Sequence, residues 1–102
     1  MAVVNITKEN FEQEVLLSDK PVLLDFYADW CGPCRMVAPA VHEIAEENTH
    51  IKVGKINVDE QPELAVRFQV SSIPLLVVMQ DGVVVNQALG ARPKDAILKL
   101  IP

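Results

Sequence analysis

The run Val22-Leu23-Leu24-Asp25-Phe26-Tyr27-Ala28 is apolar on both of its alternating faces apart from one residue. A strand of that composition suits the centre of a sheet with helices on both sides, because either face left in water would expose aliphatic surface. The segments around it fit such a sheet. Val3 to Ile6 is a short β-branched run, and Thr7 is placed to cap a helix through about Leu17, with Ile6 and Phe11 spaced as a hydrophobic staple. Gly32 and Pro33 turn the chain into a second helix ending near Asn48, with Val37, Val41, Ile44 and Ala45 on one face and Pro39 as an expected kink. Ile51 to Val58 alternates as a strand, Pro62 opens a short helix through Phe68, and Leu75 to Met79 is the next strand. Asp81-Gly82 is a hairpin signal leading into Val83 to Ala88. Gly90 then breaks the strand, and Pro93, at a first-turn position, opens a last helix through Leu100. The order βαβαβαββα predicts an α/β fold, a mixed five-stranded sheet flanked by four helices on both faces. Half of the 102 residues are hydrophobic, enough for one conventional core, so a single domain over residues 1–102 is expected.

Asp25 is the exception in the central run, an ionisable side chain among neighbours that demand burial. Just past the strand comes Trp30-Cys31-Gly32-Pro33-Cys34, which holds the only two cysteines. Such a pair can close a small disulfide ring and reopen it by thiol exchange, bind a metal, or bond to another molecule's sulfur. The turn from strand to helix separates the two sulfurs chemically. Cys31 lies at the helix start, where unpaired backbone N–H groups favour the thiolate that attacks disulfides, so it is expected to be the nucleophile. Cys34, one turn inside and more buried, is expected to resolve the mixed disulfide and release the substrate as a dithiol. Gly32 and Pro33 set the stiffness of the ring and so how readily it reopens. Asp25 points toward the region behind the pair and is expected to accept the Cys34 proton, with burial raising its pKa. A structural pairing with Lys55 on the neighbouring strand is the other reading of Asp25, and Lys55 serves either one.

A metal site is disfavoured, since zinc usually takes two Cys-x-x-Cys pairs or adds two histidines at fixed spacing. His42 and His50 match no common ligand pattern and are expected to be solvated surface. A net charge of −5 with nine scattered basic residues argues against a nucleic-acid partner. Met1-Ala2-Val3-Val4-Asn5 lacks the basic head and apolar stretch of a signal peptide, and no apolar run reaches membrane-spanning length. A reducing cytoplasm without a membrane partner is therefore expected, where a lone tight cysteine pair is reactive rather than structural.

On these residues the chain resembles the thioredoxin family over essentially its whole length. Trp30-Cys31-Gly32-Pro33-Cys34 matches that family's signature in full, Asp25-Phe26-Tyr27-Ala28 resembles the strand leading into it, and Pro39 matches the kinking proline. Lys55-Ile56-Asn57-Val58-Asp59 resembles the next strand, Ile73-Pro74 aligns with the family's cis-proline, and Asp81-Gly82 and Leu89-Gly90-Ala91 also fit. The resemblance implies the thioredoxin fold and a protein-disulfide reductase with no bound cofactor, its redox centre being the Cys31–Cys34 disulfide. It implies disulfide-containing protein substrates and recharging by an NADPH-dependent flavoprotein, thioredoxin reductase. A cis bond before Pro74 would leave neighbouring amides free to pair with an extended substrate by strand addition. Trp30, Ile73, Pro74, Gly90 and Ala91 would then form a substrate-binding rim around the sulfurs. A monomer is expected, as no long exposed apolar stripe is evident.

Three positions depart from the family's usual pattern. Tyr27 stands where a tryptophan is common, Ser71-Ser72 where a glycine usually precedes the proline, and Leu75 where a threonine is usual. Leu75 puts apolar bulk beside the site and is expected to shift substrate preference or the fit to a reductase, with electron transfer retained. A redox-independent binding or scaffold module using the same face is the other function class, but a scaffold needs neither thiol. An oxidase or isomerase of the same fold would usually carry a different dipeptide between the cysteines, often containing histidine.

Overall fold

A computed structural model describes residues 2–102; Met1, the first residue of the segment compared with a signal peptide, lies outside the described residues. Five strands build one sheet: β1 (Val3–Asn5), β2 (Val22–Tyr27), β3 (Lys52–Asn57), β4 (Leu75–Gln80) and β5 (Val83–Leu89). Their spatial order is β1-β3-β2-β4-β5. The central strand β2 runs parallel to β3 and antiparallel to β4, while β1 joins β3 in parallel and β5 joins β4 antiparallel. The sheet is therefore mixed, as the element order predicts. The helices are α1 (Gly32–Glu47), α2 (Pro62–Arg67) and α3 (Lys94–Leu98), with a π-helical turn at Glu12–Leu16.

Alternation along β2 feeds two cores. Leu23 packs with Val37, Val41 and Ile44 of α1 and with Ile97 of α3. Val22, Leu24 and Phe26 turn to the opposite face and pack with Phe11, Val15 of the π-helical turn and Leu64 of α2. Each fully buried aliphatic or aromatic side chain contributes about 1.5–3 kcal/mol relative to exposure, which is why a strand rich in such residues takes the middle of the sheet. Pro39 lies inside α1 on its exposed side and, lacking an N–H, leaves the Arg35 carbonyl without its helical partner. Asp81 and Gly82 have φ of +54° and +80°, the left-handed pair that a tight two-residue hairpin requires. Among the described residues no helix is long and apolar enough to cross a membrane.

The ends of the elements correct the sequence reading in two places. Thr7 does not cap the first helix: its Oγ1 accepts from the Asn10 N–H at 3.4 Å while Asn10 Oδ1 accepts from the Thr7 N–H at 2.8 Å, so the two residues close a preceding turn. The helical segment then has π geometry, although Ile6 and Phe11 do pack in one cluster as the staple spacing predicts. Pro93 precedes α3 as its N-cap, with ψ of 161°, instead of occupying the first turn. Its fixed φ suits either position, and its carbonyl accepts from the Ala96 and Ile97 N–H groups at 3.0 and 3.1 Å.

Gly54 in β3 shows how tightly the face beneath the π-helical turn is filled. A Cβ there would stand 2.6 Å from Ile6 Cγ1 and 3.3 Å from Leu24 Cδ2, and both side chains are fully buried. We expect Gly54→Val to destabilise the protein by about 1–3 kcal/mol through overpacking. The check is urea unfolding: a lower midpoint at unchanged slope is expected, and an unchanged midpoint would show that Ile6 yields freely.

Candidate active site

The chain leaves β2 at Tyr27, and the Cys31 N–H donates back to the Ala28 carbonyl at 3.2 Å before α1 begins at Gly32. Cys31 is the N-cap of α1. Its Sγ accepts from the Cys34 N–H at 3.2 Å, the position in which a serine or aspartate oxygen usually satisfies an orphan donor of the first turn. Cys34, in that first turn, is disulfide-bonded to Cys31, with the Cα atoms 5.2 Å apart. The two residues are nearly equally buried, at 4% and 3% exposure, so exposure does not distinguish them as the sequence reading expects. What differs is position: one sulfur caps the helix and the other belongs to its first turn. Gly32 is half-buried and Pro33 exposed, both in the ring between them.

Asp25 lies on the face of β2 that α1 covers, opposite Lys55 of β3 and Leu76 of β4. A cavity of about 170 Å³ opens behind the disulfide, with Asp25, Cys34, Tyr27, Ala38, His42 and Lys55 among its walls. The expectation that Asp25 points to the rear of the cysteine pair thus has a geometric counterpart. Among the described residues no hydrogen-bond partner reaches Asp25 Oδ1, and no ion pair within 4 Å joins it to Lys55. Burial pushes the Asp25 pKa up from 3.8 to about 6, with the positive charge of Lys55 acting in the opposite direction. Lys55 Nζ also lies 5.8 Å from the centroid of the Tyr27 ring.

The rim around the sulfurs is assembled from three loops. Trp30 is 69% exposed, and its Nε1–H donates to Asp59 Oδ2 at 2.9 Å. Ile73, half-buried, brings its carbonyl oxygen to 3.9 Å from Cys31 Sγ, and the Ile73–Pro74 bond is cis. The Gly90 N–H donates to the Pro74 carbonyl at 2.8 Å, and Gly90 takes a φ of +97° that an L side chain would resist. Ala91 beside it is exposed. Trp30, Ile73, Pro74, Gly90 and Ala91 therefore frame one end of the sheet, next to Cys31.

Several residues here are not evident from motif reading. Buried Asn57 uses Oδ1 to accept from the Asp59 and Glu60 N–H groups at 2.9 and 3.2 Å, which positions the carboxylate that holds Trp30. Arg92 donates to the Leu89 carbonyl at 2.9 Å and braces the Gly90–Ala91 corner. His42, read from the sequence as solvated surface, is exposed yet lines the Asp25 cavity. The spacing of four from Cys34 through Ala38 to His42 is the helical signal that would have found it.

A strand-end dithiol pair, with one sulfur at a helix cap and a buried carboxylate behind it, on a mixed sheet covered on both faces, defines a thiol-disulfide oxidoreductase. The thioredoxin family model matches residues 2–102. The chain is 50% identical over 99 residues to a thioredoxin of Mycobacterium bovis, spanning 96% of this chain and 85% of that protein. It is 50% identical over 97 residues to thioredoxin 1 of a Nostoc species, spanning 94% of this chain and 91% of that protein. It is also 47% identical over 97 residues to a bifunctional thioredoxin reductase/thioredoxin of Mycobacterium leprae, covering 94% of this chain and 21% of that longer protein. The chain belongs to the thioredoxin family, and it is a protein-disulfide reductase whose redox-active disulfide is Cys31–Cys34.

The Asp25 shift has a direct consequence for stability. Its folded pKa, about 6, lies above the unfolded value of 3.8, so the native state holds the proton more tightly between the two and stability falls as pH rises through that window. Asp25→Asn removes the penalty. The variant should exceed wild type above pH 7 by up to about 3 kcal/mol and converge toward it near pH 4. Urea unfolding of the oxidised proteins across this range is the measurement, and a difference independent of pH would contradict the shift.

Proposed function

We propose that Cys31 is the attacking nucleophile, Cys34 the resolving thiol and Asp25 the proton acceptor for Cys34. The observation that carries this reading is the Cys34 N–H directed at Cys31 Sγ at the α1 cap, with Cys34 and Asp25 sharing a cavity behind it. Orphan donors of the first turn stabilise negative charge on the capping sulfur, so the Cys31 thiolate forms first. It attacks one sulfur of a substrate disulfide, breaking that S–S bond, releasing one substrate thiolate and forming a mixed disulfide. Cys34 then loses its proton to Asp25, directly or through a water, for which a cavity of this size has room. The Cys34 thiolate attacks Cys31 Sγ, displaces the second substrate thiolate and closes the Cys31–Cys34 disulfide. The substrate gains two electrons and two protons, and the enzyme dithiol supplies both electrons.

Gly32 and Pro33 limit the geometries from which the ring reopens, and Lys55 moderates the Asp25 charge across the cavity. Trp30, Ile73, Pro74, Gly90 and Ala91 receive the substrate backbone on the Cys31 side. An NADPH-dependent flavoprotein thioredoxin reductase restores the dithiol; the Mycobacterium leprae relative, whose name joins the two activities, supports that pairing. The protein acts as a monomeric single domain in a reducing cytoplasm, with no nucleic-acid or membrane partner.

The test is turnover of an inter-chain protein disulfide with a small dithiol as electron source. Cys31→Ser should fall to the uncatalysed background, while Cys34→Ser should retain the first attack and accumulate mixed disulfides with substrate. Wild-type turnover no faster than Cys31→Ser would refute the scheme. In Asp25→Asn the resolving step should slow by about 10²-fold at neutral pH. Its rate in wild type should rise with pH through about 6, as the carboxylate that accepts the proton forms, and that inflection should vanish in the variant. An identical pH profile in both proteins would return Asp25 to a structural role.

A further inference from the structure

Trp30 is 69% exposed, and Asp59, whose carboxylate holds its indole, is exposed as well. A hydrogen bond between two exposed side chains competes with water, so it orients the ring only if the backbone carrying the carboxylate is fixed. Asp59 stands just past the end of β3, and Asn57 Oδ1 fixes it by accepting from the Asp59 and Glu60 N–H groups. The orientation of the Trp30 rim is thus passed back to one buried amide.

What holds Asn57 lies on the neighbouring strand. Tyr27 pairs with Asn57 in the β2–β3 register, and the Val58 N–H donates to the Tyr27 carbonyl at 2.9 Å, so the ends of the two strands stand side by side. The Asn57 side chain also hydrogen-bonds the Tyr27 hydroxyl. With Oδ1 turned toward two backbone donors, the group that reaches the hydroxyl is the Nδ2 amide, and Tyr27 is the acceptor. Asn57 is 4% exposed, and without that acceptor a buried N–H would lose its partner. The tryptophan common at this position in the family carries a ring N–H and no acceptor, so it could not take that bond. The link depends on the hydroxyl that this chain has at position 27.

We propose that Tyr27 is a positioning residue for Trp30: its hydroxyl holds Asn57, Asn57 orders the turn at Asp59, and Asp59 sets the indole against the incoming protein substrate. This role rests on Trp30 belonging to the substrate-binding rim. It predicts a hydroxyl that matters for large substrates, which meet the rim, and much less for small disulfides, which reach Cys31 without it. The Tyr27 ring packs against the cluster of Ala28, Cys31 and Cys34, and Lys55 lies over its face. The informative variant is therefore Tyr27→Phe, which keeps the ring and the backbone bond to Val58 and removes the hydroxyl alone.

Trp30 is the only tryptophan, so the single indole N–H resonance in a proton NMR spectrum reports on it directly. In Tyr27→Phe that resonance should move toward the position it takes in Asp59→Ala. The reduced proteins should then be mixed with an inter-chain protein disulfide and, separately, with a small aryl disulfide. The ratio of the two rate constants, protein over aryl, should fall about 5-fold in Tyr27→Phe, the lower end of what an unpaired buried donor produces. The double variant Tyr27→Phe/Asp59→Ala should show the same ratio as Asp59→Ala alone, because both changes cut one chain of contacts. A resonance that stays in place in Tyr27→Phe, an unchanged ratio, or effects that multiply in the double variant would each overturn the proposal. A lower urea midpoint for Tyr27→Phe, with resonance and ratio unmoved, would assign the hydroxyl to stability alone and overturn it as well. A wild-type ratio in Trp30→Ala would instead overturn the rim reading, so the two failures are distinct.

Discussion

Burial of β2 on both faces, between two hydrogen-bonded neighbours, is the constraint on which the rest of the molecule depends. A strand so enclosed has one register that puts Leu23 into the α1 core and Leu24 and Phe26 into the opposite core. A slip of one residue would exchange every face and carry Asp25 away from α1, so packing and the position of the carboxylate are set by the same choice. The strand's end is equally determined. Where β2 stops at Tyr27 the chain turns directly into α1, which delivers Cys31 to the N-cap and Cys34 to the first turn.

Against that rigid frame the site is the place where close packing gives way. Among the described residues no partner reaches one carboxylate oxygen of Asp25, which is buried next to a cavity, and burial raises its pKa. Lys55 sits across from it in register but not in an ion pair within 4 Å, so it moderates the charge without quenching it. A carboxylate locked into a salt bridge would hold its charge too firmly to exchange a proton near neutrality. The loss of stability is what keeps the group available. The rim follows a different logic, in which exposed Trp30 and the corner at Gly90 are held by polar contacts from Asp59 and Arg92 while their apolar surfaces remain open.

Much of the frame was legible because hydrophobic periodicity reports burial directly. The continuous apolar run from Val22, the helical spacing of Val37, Val41 and Ile44, and the Asp81-Gly82 turn each reflect a local preference that the fold obeys. The helical segment starts later than Thr7 because Thr7 and Asn10 exchange side-chain-to-backbone hydrogen bonds, each accepting from the other's N–H, and close a turn before it. Pro93 stands at the cap and not in the first turn, two positions that its fixed φ fits equally well. The support for Trp30 is not legible in the sequence because Asp59 lies 29 positions away, and nothing in its local pattern signals a partner.

The sequence by itself determined the chemistry available: two thiols at a ring-closing spacing, one carboxylate in an apolar strand, and the alternation that makes that strand central. Those properties are local, carried by neighbours in the chain. Only the tertiary structure decided that Asp25, Cys34 and His42 share a cavity and that Cys31 and Cys34 are almost equally buried. It also decided that the outward residues of β5 stay exposed. These depend on which elements cover which parts of the sheet, and a six-residue α2 leaves β5 bare for reasons of packing geometry that no stretch of sequence carries alone.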